Sequence, residues 1–134
     1  MTDNIAQVYF WGTGRRKTAT ARVRIREGNG EIQVNGRSLK EYFTTERQRM
    51  SAIAPLLSVD MLGKLNVYAS ISGGGLTGHS GAFSHGVARA LSRLDPGLVK
   101  TLRKGGFLMR DPRVVERKMY GHHKSRRSTQ FSKR

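Results

Sequence analysis

Three arginines stand two residues apart in the stretch TATARVRIR: Arg22, Arg24 and Arg26. On an extended strand such side chains share a face and recur about every 6.6 Å, so their guanidinium groups form a row of positive charge. The segment just before, GTGRRKT, adds Arg15, Arg16 and Lys17, so that six cations and no acid occupy positions 15–26. With its two glycines, that segment reads as a flexible turn whose amides and side chains could both reach phosphate. Guanidinium groups also suit bidentate contacts to phosphate oxygens. The chemistry this pattern supports is neutralisation of a polyanion.

A second cluster, Gly73, Gly75 and Gly78, satisfies G-x-G-x-x-G between an expected strand and an expected helix, which is the setting of a dinucleotide-binding turn. That setting also calls for an acidic residue about twenty positions later, ending a second parallel strand. Asp95 stands instead in a helix-ending DPG, and no Gly-Lys-Ser/Thr occurs anywhere. No nucleotide or other cofactor is therefore expected. The glycines read as a tight turn that lets a helix start pack closely, with amides open to an RNA phosphate. The helix that follows carries His85, Arg89 and Arg93 at four-residue spacing opposite its apolar stripe, so one face is expected to pack and the other to be basic.

The four histidines are His79, His85, His122 and His123; the chain has no cysteine, and no ligand set for a metal emerges from the spacing. The nine carboxylates are scattered among cations, and no acid–base pair or nucleophilic triad stands out. Catalysis is not expected.

These side chains need elements to hold them. Residues 18–26 alternate, with Ala19, Ala21, Val23 and Ile25 on one side and the arginines on the other, as in a half-buried strand. The turn EGNGE leads into EIQV, which predicts a hairpin over residues 18–34, and VYFW at 8–11 predicts a neighbouring strand. After an Asn35–Gly36 turn, Ser38 precedes Glu41 at capping-box spacing, and Thr45 precedes Gln48 likewise, which predicts two helices. Pro55 should break or bend the second. Leu65, Val67, Ala69 and Ile71 alternate in a further strand, and Phe83, Val87, Ala90, Leu91 and Leu94 form one helical stripe ended by DPG. LVKTLRK predicts a shorter helix, and RVVERKMY a last edge strand. The order implies an α+β single domain, one sheet with helices on one face.

The 134 residues carry 25 Lys and Arg against 9 Asp and Glu, a net +16. Such a density repels itself in a compact chain unless outside counter-charge arrives, and nucleic acid is its commonest source. No presequence pattern precedes Arg15 and no apolar run approaches a bilayer span of ~20 residues, so a soluble, cytoplasmic protein is expected. Residues 1–116 read as a globular RNA-binding domain. Beyond Glu116 the apolar periodicity fades, and residues 117–134 read as an extended basic tail, disordered until a partner orders it. That tail interleaves Tyr120, His122, His123 and Phe131 with Arg117, Lys118, Lys124, Arg126, Arg127, Lys133 and Arg134, rings for unpaired bases and cations for phosphates. RNA is favoured over DNA because no helix-turn-helix, zinc-finger or basic-zipper pattern is present.

GTGRRKTATARV, GGGLTGHSGAFSHGVARAL, and RDPRVVERK followed by QFSKR resemble, in order and spacing, the bacterial ninth protein of the small ribosomal subunit. The resemblance runs from about Tyr9 to Arg134. It implies a structural RNA-binding protein in the head of that subunit, with neighbouring head proteins alongside. It implies a mixed sheet with the left-handed βαβ crossover shared with the second domain of the subunit's fifth protein, against the usual hand. It also implies a tail that threads ribosomal RNA and ends on transfer RNA in the peptidyl site through Ser132, Lys133 and Arg134. The chain departs from the family at His79, where Gln is usual, at His122 and His123, where Leu and a cation are typical, and at Ser128 and Thr129, where Ala-Pro is common. None of these removes a terminal cation.

Overall fold

The alternation in TATARVRIR is realised as strand β2 (Ala19–Glu27), whose Ala21, Val23 and Ile25 are fully buried. The computed structural model describes residues 9–110, 112, 113 and 120. Within them, β1 (Phe10–Arg16) precedes β2, and β3 (Ile32–Val34) and β4 (Arg37–Ser38) follow it. Helices α1 (Leu39–Tyr42) and α2 (Glu46–Ser58) lead to strand β5 (Leu65–Ser72) and the long helix α3 (Leu76–Leu94). A 3-10 turn at Pro96–Leu98 opens into α4 (Val99–Lys104). The five strands make one mixed sheet in the order β1-β2-β5-β3-β4.

The core lies between one face of this sheet and the helices. Phe83, Val87, Ala90 and Leu91 of α3 are fully buried with Phe43, Leu56, Val67 and Leu102, each large apolar side chain contributing roughly 1.5–3 kcal/mol by leaving water. The expected stripe of α3 is thus the one that packs. The opposite sheet face carries no helix among the described residues.

The hairpin expected over residues 18–34 does not form. Antiparallel β5 pairs with β2, Thr20 to Glu27 against Ser72 to Leu65, and separates β2 from β3, which pairs with β5 in parallel. The physical reason lies in EGNGE. Asn66 Oδ1 of β5 accepts the backbone N–H groups of Asn29, Gly30 and Glu31 at 2.9, 3.2 and 3.1 Å, and Gly28 N–H donates to the Lys64 carbonyl at 3.1 Å. The loop folds over the start of β5 instead of reversing β2 upon itself. The hairpin is one strand earlier, between β1 and β2, with Lys17 at φ +54° in its turn.

The Asn35–Gly36 turn is present, with φ +51° and +79°, as a tight hairpin turn requires. Asn35 also carries the sheet one step beyond β3. Its Oδ1 accepts from Ile71 N–H at 2.8 Å and its Nδ2 donates to the Ile71 carbonyl at 3.0 Å. Ser38 caps α1 as expected, accepting from Glu41 N–H at 3.3 Å. Thr45 makes no side-chain bond at the start of α2, where Arg49 Nη1 instead donates to the Phe43 and Thr44 carbonyls. Pro55 does not end α2. It sits buried in the last turn, where its missing N–H removes one helical bond close to the terminus. The expected edge strand RVVERKMY, the boundary at residue 116 and the tail all fall outside the described residues, apart from exposed Tyr120 and the described Arg113.

Candidate nucleic-acid interface

The pleat sends Arg22, Arg24 and Arg26 of β2 away from the helices, so the predicted row of charge exists on the sheet's open face. Strand register supplies its neighbours. Trp11 of β1 stands opposite Arg24, Arg24 opposite Tyr68 of β5, and Tyr68 opposite Gln33 of β3. The Arg24 guanidinium carbon lies 4.9 Å from the Tyr9 ring centre, 5.3 Å from that of Tyr68 and 5.9 Å from that of Trp11. Cations over ring faces gain from the ring quadrupole. Arg26 Nη2 donates to the Tyr68 hydroxyl at 3.2 Å, and this bond, above all, raises its already high pKa and keeps it cationic. A concavity of about 450 Å³ opens here, lined by Trp11, Arg22, Arg24, Gln33 and Tyr68 among others.

Arg16 and Lys17 belong to a different surface, whereas the Arg15 side chain shares the pleat face of Trp11 and Thr13 and only its backbone turns to the strand edge. The GTG glycines are not a flexible turn, as the sequence suggested, but buried residues of β1 facing α3. A Cβ on Gly14 would sit 2.0 Å from the Ala82 carbonyl oxygen, and one on Gly12 would sit 2.3 Å from that of Gly86. Strand and helix backbones meet there directly, and only glycine fits. Arg16 then lies along α3 over Gly81, and Lys17 occupies the β1–β2 turn.

On the outer edge of β1, side chains of α3 bond its backbone. Arg89 Nη1 donates to the Thr13 carbonyl at 3.0 Å, and the Arg15 N–H donates to His85 Nδ1 at 3.3 Å. His85 Nε2 faces the Leu108 carbonyl at 3.3 Å, so an imidazole whose Nδ1 accepts must carry its proton on Nε2. His85 is therefore not on an exposed basic face with Arg89 and Arg93. It is 5% exposed, because this position of α3 points under the strand edge. Burial foremost, and then the charge of Arg89, lower its pKa below the usual histidine value. Thr13, Arg15, His85, Arg89 and Arg110 line a cavity of about 310 Å³. Arg93 stays exposed in the last turn of α3.

The cations of positions 15–26 thus divide between the open face and the β1 edge. Trp11, Tyr68 and Arg110 were missed by the sequence reading. Period-two alternation in KLNVYASIS already turned Tyr68 outward, but its row partners are 44 and 57 positions away in sequence, at 24 and 11. Arg117, Lys118, Lys124, Arg126, Arg127, Ser132, Lys133 and Arg134 lie outside the described residues.

The glycine motif after β5 is a tight turn, with Gly73 at φ +78° and Gly74 at φ +66°. His79 of α3 bonds back to the Gly73 carbonyl and to the Tyr42 hydroxyl. No strand follows α3 among the described residues, so the second parallel strand of a dinucleotide fold is lacking there. A family model described as Ribosomal protein S9/S16 matches residues 14–134.

Proposed function

We propose that this chain, which belongs to the ribosomal protein S9/S16 family and so is a structural protein of the cytoplasmic ribosome that binds ribosomal RNA, grips the RNA of the small-subunit head on two basic surfaces and extends a C-terminal arm. The globular part, residues 1–116, binds through Arg15, Arg22, Arg24 and Arg26 on the open face, through Arg16, Lys17 and Arg89 along the β1 edge, and through Arg93. The observation that carries this reading is the placement of the six cations of positions 15–26 on both faces of one hairpin, with no acid between Arg15 and Arg26. A folded polyanion that wraps the hairpin meets positive charge on both.

In this reading the arm, residues 117–134, takes its order from the RNA, whose phosphates Arg117, Lys118, Lys124, Arg126 and Arg127 neutralise. Its tip, Ser132, Lys133 and Arg134, touches transfer RNA in the peptidyl site. The likeness at QFSKR and a match running through Arg134 support this assignment. Other proteins of the subunit head lie alongside, and the chain performs no catalysis. Replacing Lys133 and Arg134 by Ala should weaken transfer-RNA binding while leaving assembly largely intact, since two of 25 basic residues are a small share of the charge. Filter binding of transfer RNA to reconstituted subunits at low magnesium measures this; unchanged occupancy removes the tip from the account.

A further inference from the structure

We propose that the open face of the sheet holds unpaired RNA bases, stacked on the row Trp11–Arg24–Tyr68. The inference rests on the reading that the chain binds ribosomal RNA, and it separates contacts to bases from contacts to phosphates. Four strands contribute to one line: Trp11 of β1, Arg24 of β2, Tyr68 of β5 and Gln33 of β3 are successive cross-strand partners. With strands ~4.8 Å apart, indole and phenol stand roughly 10 Å from each other, and the guanidinium lies between them. Rings and guanidinium planes are the groups on which splayed bases stack.

The row is open to a ligand. Trp11 is 49% exposed, and the concavity of about 450 Å³ lies directly over these residues. Its flanks fit a nucleic-acid strand, since Arg22 and Arg26 stand on either side of Arg24 on the same face and are spaced to meet a backbone. Arg26 Nε is buried without a hydrogen-bond partner among the described residues. The carboxylate at the rim, Glu31, accepts from Gln33 Nε2 and from the Tyr68 hydroxyl, which fixes both next to the row. Paired bases in an A-form helix hide their ring faces, so the occupant is a single-stranded loop or bulge. A basic partner protein would be repelled by the same three arginines.

Trp11 is the chain's only tryptophan, so its emission reports on the row directly. The full chain is titrated with a short oligoadenylate, with an abasic oligonucleotide of equal length and charge, and with a duplex of that length. Saturable quenching is expected with oligoadenylate alone. Tyr68→Leu should weaken oligoadenylate binding about tenfold, the scale of one lost base–ring stack, and leave abasic binding unchanged. Tyr68→Phe, which keeps the ring, should retain affinity, and melting curves check that each variant folds. Unquenched Trp11 at saturating oligoadenylate, or equal affinity for oligoadenylate and abasic strand, overturns the proposal and leaves ribosomal-RNA binding standing. Failure to bind any of the three overturns both. An emission change seen only with a purified protein of the subunit head makes the face a protein contact and overturns the proposal too. The wild-type comparison decides the matter even if Tyr68→Leu does not fold.

Discussion

His85 shows how one side chain couples three segments. It accepts from the Arg15 amide on β1 and faces the carbonyl of Leu108 beyond α4, while its own backbone belongs to α3. That arrangement requires the neutral ring. Burial and the charge of Arg89, with Arg110 also nearby, hold its folded pKa below the ordinary ~6.5. The unfolded chain therefore takes up this proton first as pH falls. The contribution of His85 to stability is full above about pH 6.5 and is lost as pH drops through the folded value. Thermal melts should accordingly shift downward on acidification from neutral pH, and His85→Gln should flatten that part of the profile. An unchanged slope in the variant would show that other groups set it.

At the scale of elements, two contacts fix the topology. The first is the glycine seam between β1 and α3. Gly14→Ala drives a methyl into the backbone of Ala82 and should cost about 1–3 kcal/mol or more, read from the midpoint of chemical denaturation. The second is Asn66, whose one oxygen satisfies three loop amides. Asn66→Ala orphans them and should cost about 1–3 kcal/mol, whereas Asn66→Asp keeps the acceptor and should lose much less. These two contacts also mark where sequence reasoning stopped. The alternation of β2 and the stripe of α3 were legible because each is a local period of apolar residues. GTG was misread as a turn because its glycines are required by a helix some seventy positions later, and nothing local says so. The insertion of β5 between β2 and β3 depends on Asn66 closing a loop from across the sheet. The Trp11–Arg24–Tyr68 row was invisible for the same reason, since register rather than proximity in sequence assembles it.

For the molecule as a whole, a charge of +16 makes electrostatics the main term in association. Affinity for ribosomal RNA should fall steeply with salt, by about 0.7–0.9 in the logarithmic slope for each phosphate neutralised. Replacing the exposed Arg15, Lys17 and Arg93 by Gln should reduce that slope by about 2–3 if each meets one phosphate, as measured by fluorescence anisotropy across a salt series. A slope left intact would place those three away from the RNA. No described helix is both long and apolar enough to cross a membrane.

The bonds that Arg89 and His85 make to the Thr13 carbonyl and the Arg15 amide have one more effect. A sheet's outermost strand normally offers a ladder of vacant groups on which a second copy can zip up, the seed of most β-sheet aggregation. Here α3 takes up two of those rungs from below, and the opposite border, β4, is only two residues long. Newly made chains waiting for their RNA are thus poor templates for one another, a safeguard that does not depend on the mutual repulsion of their charges and would persist at salt concentrations that screen it.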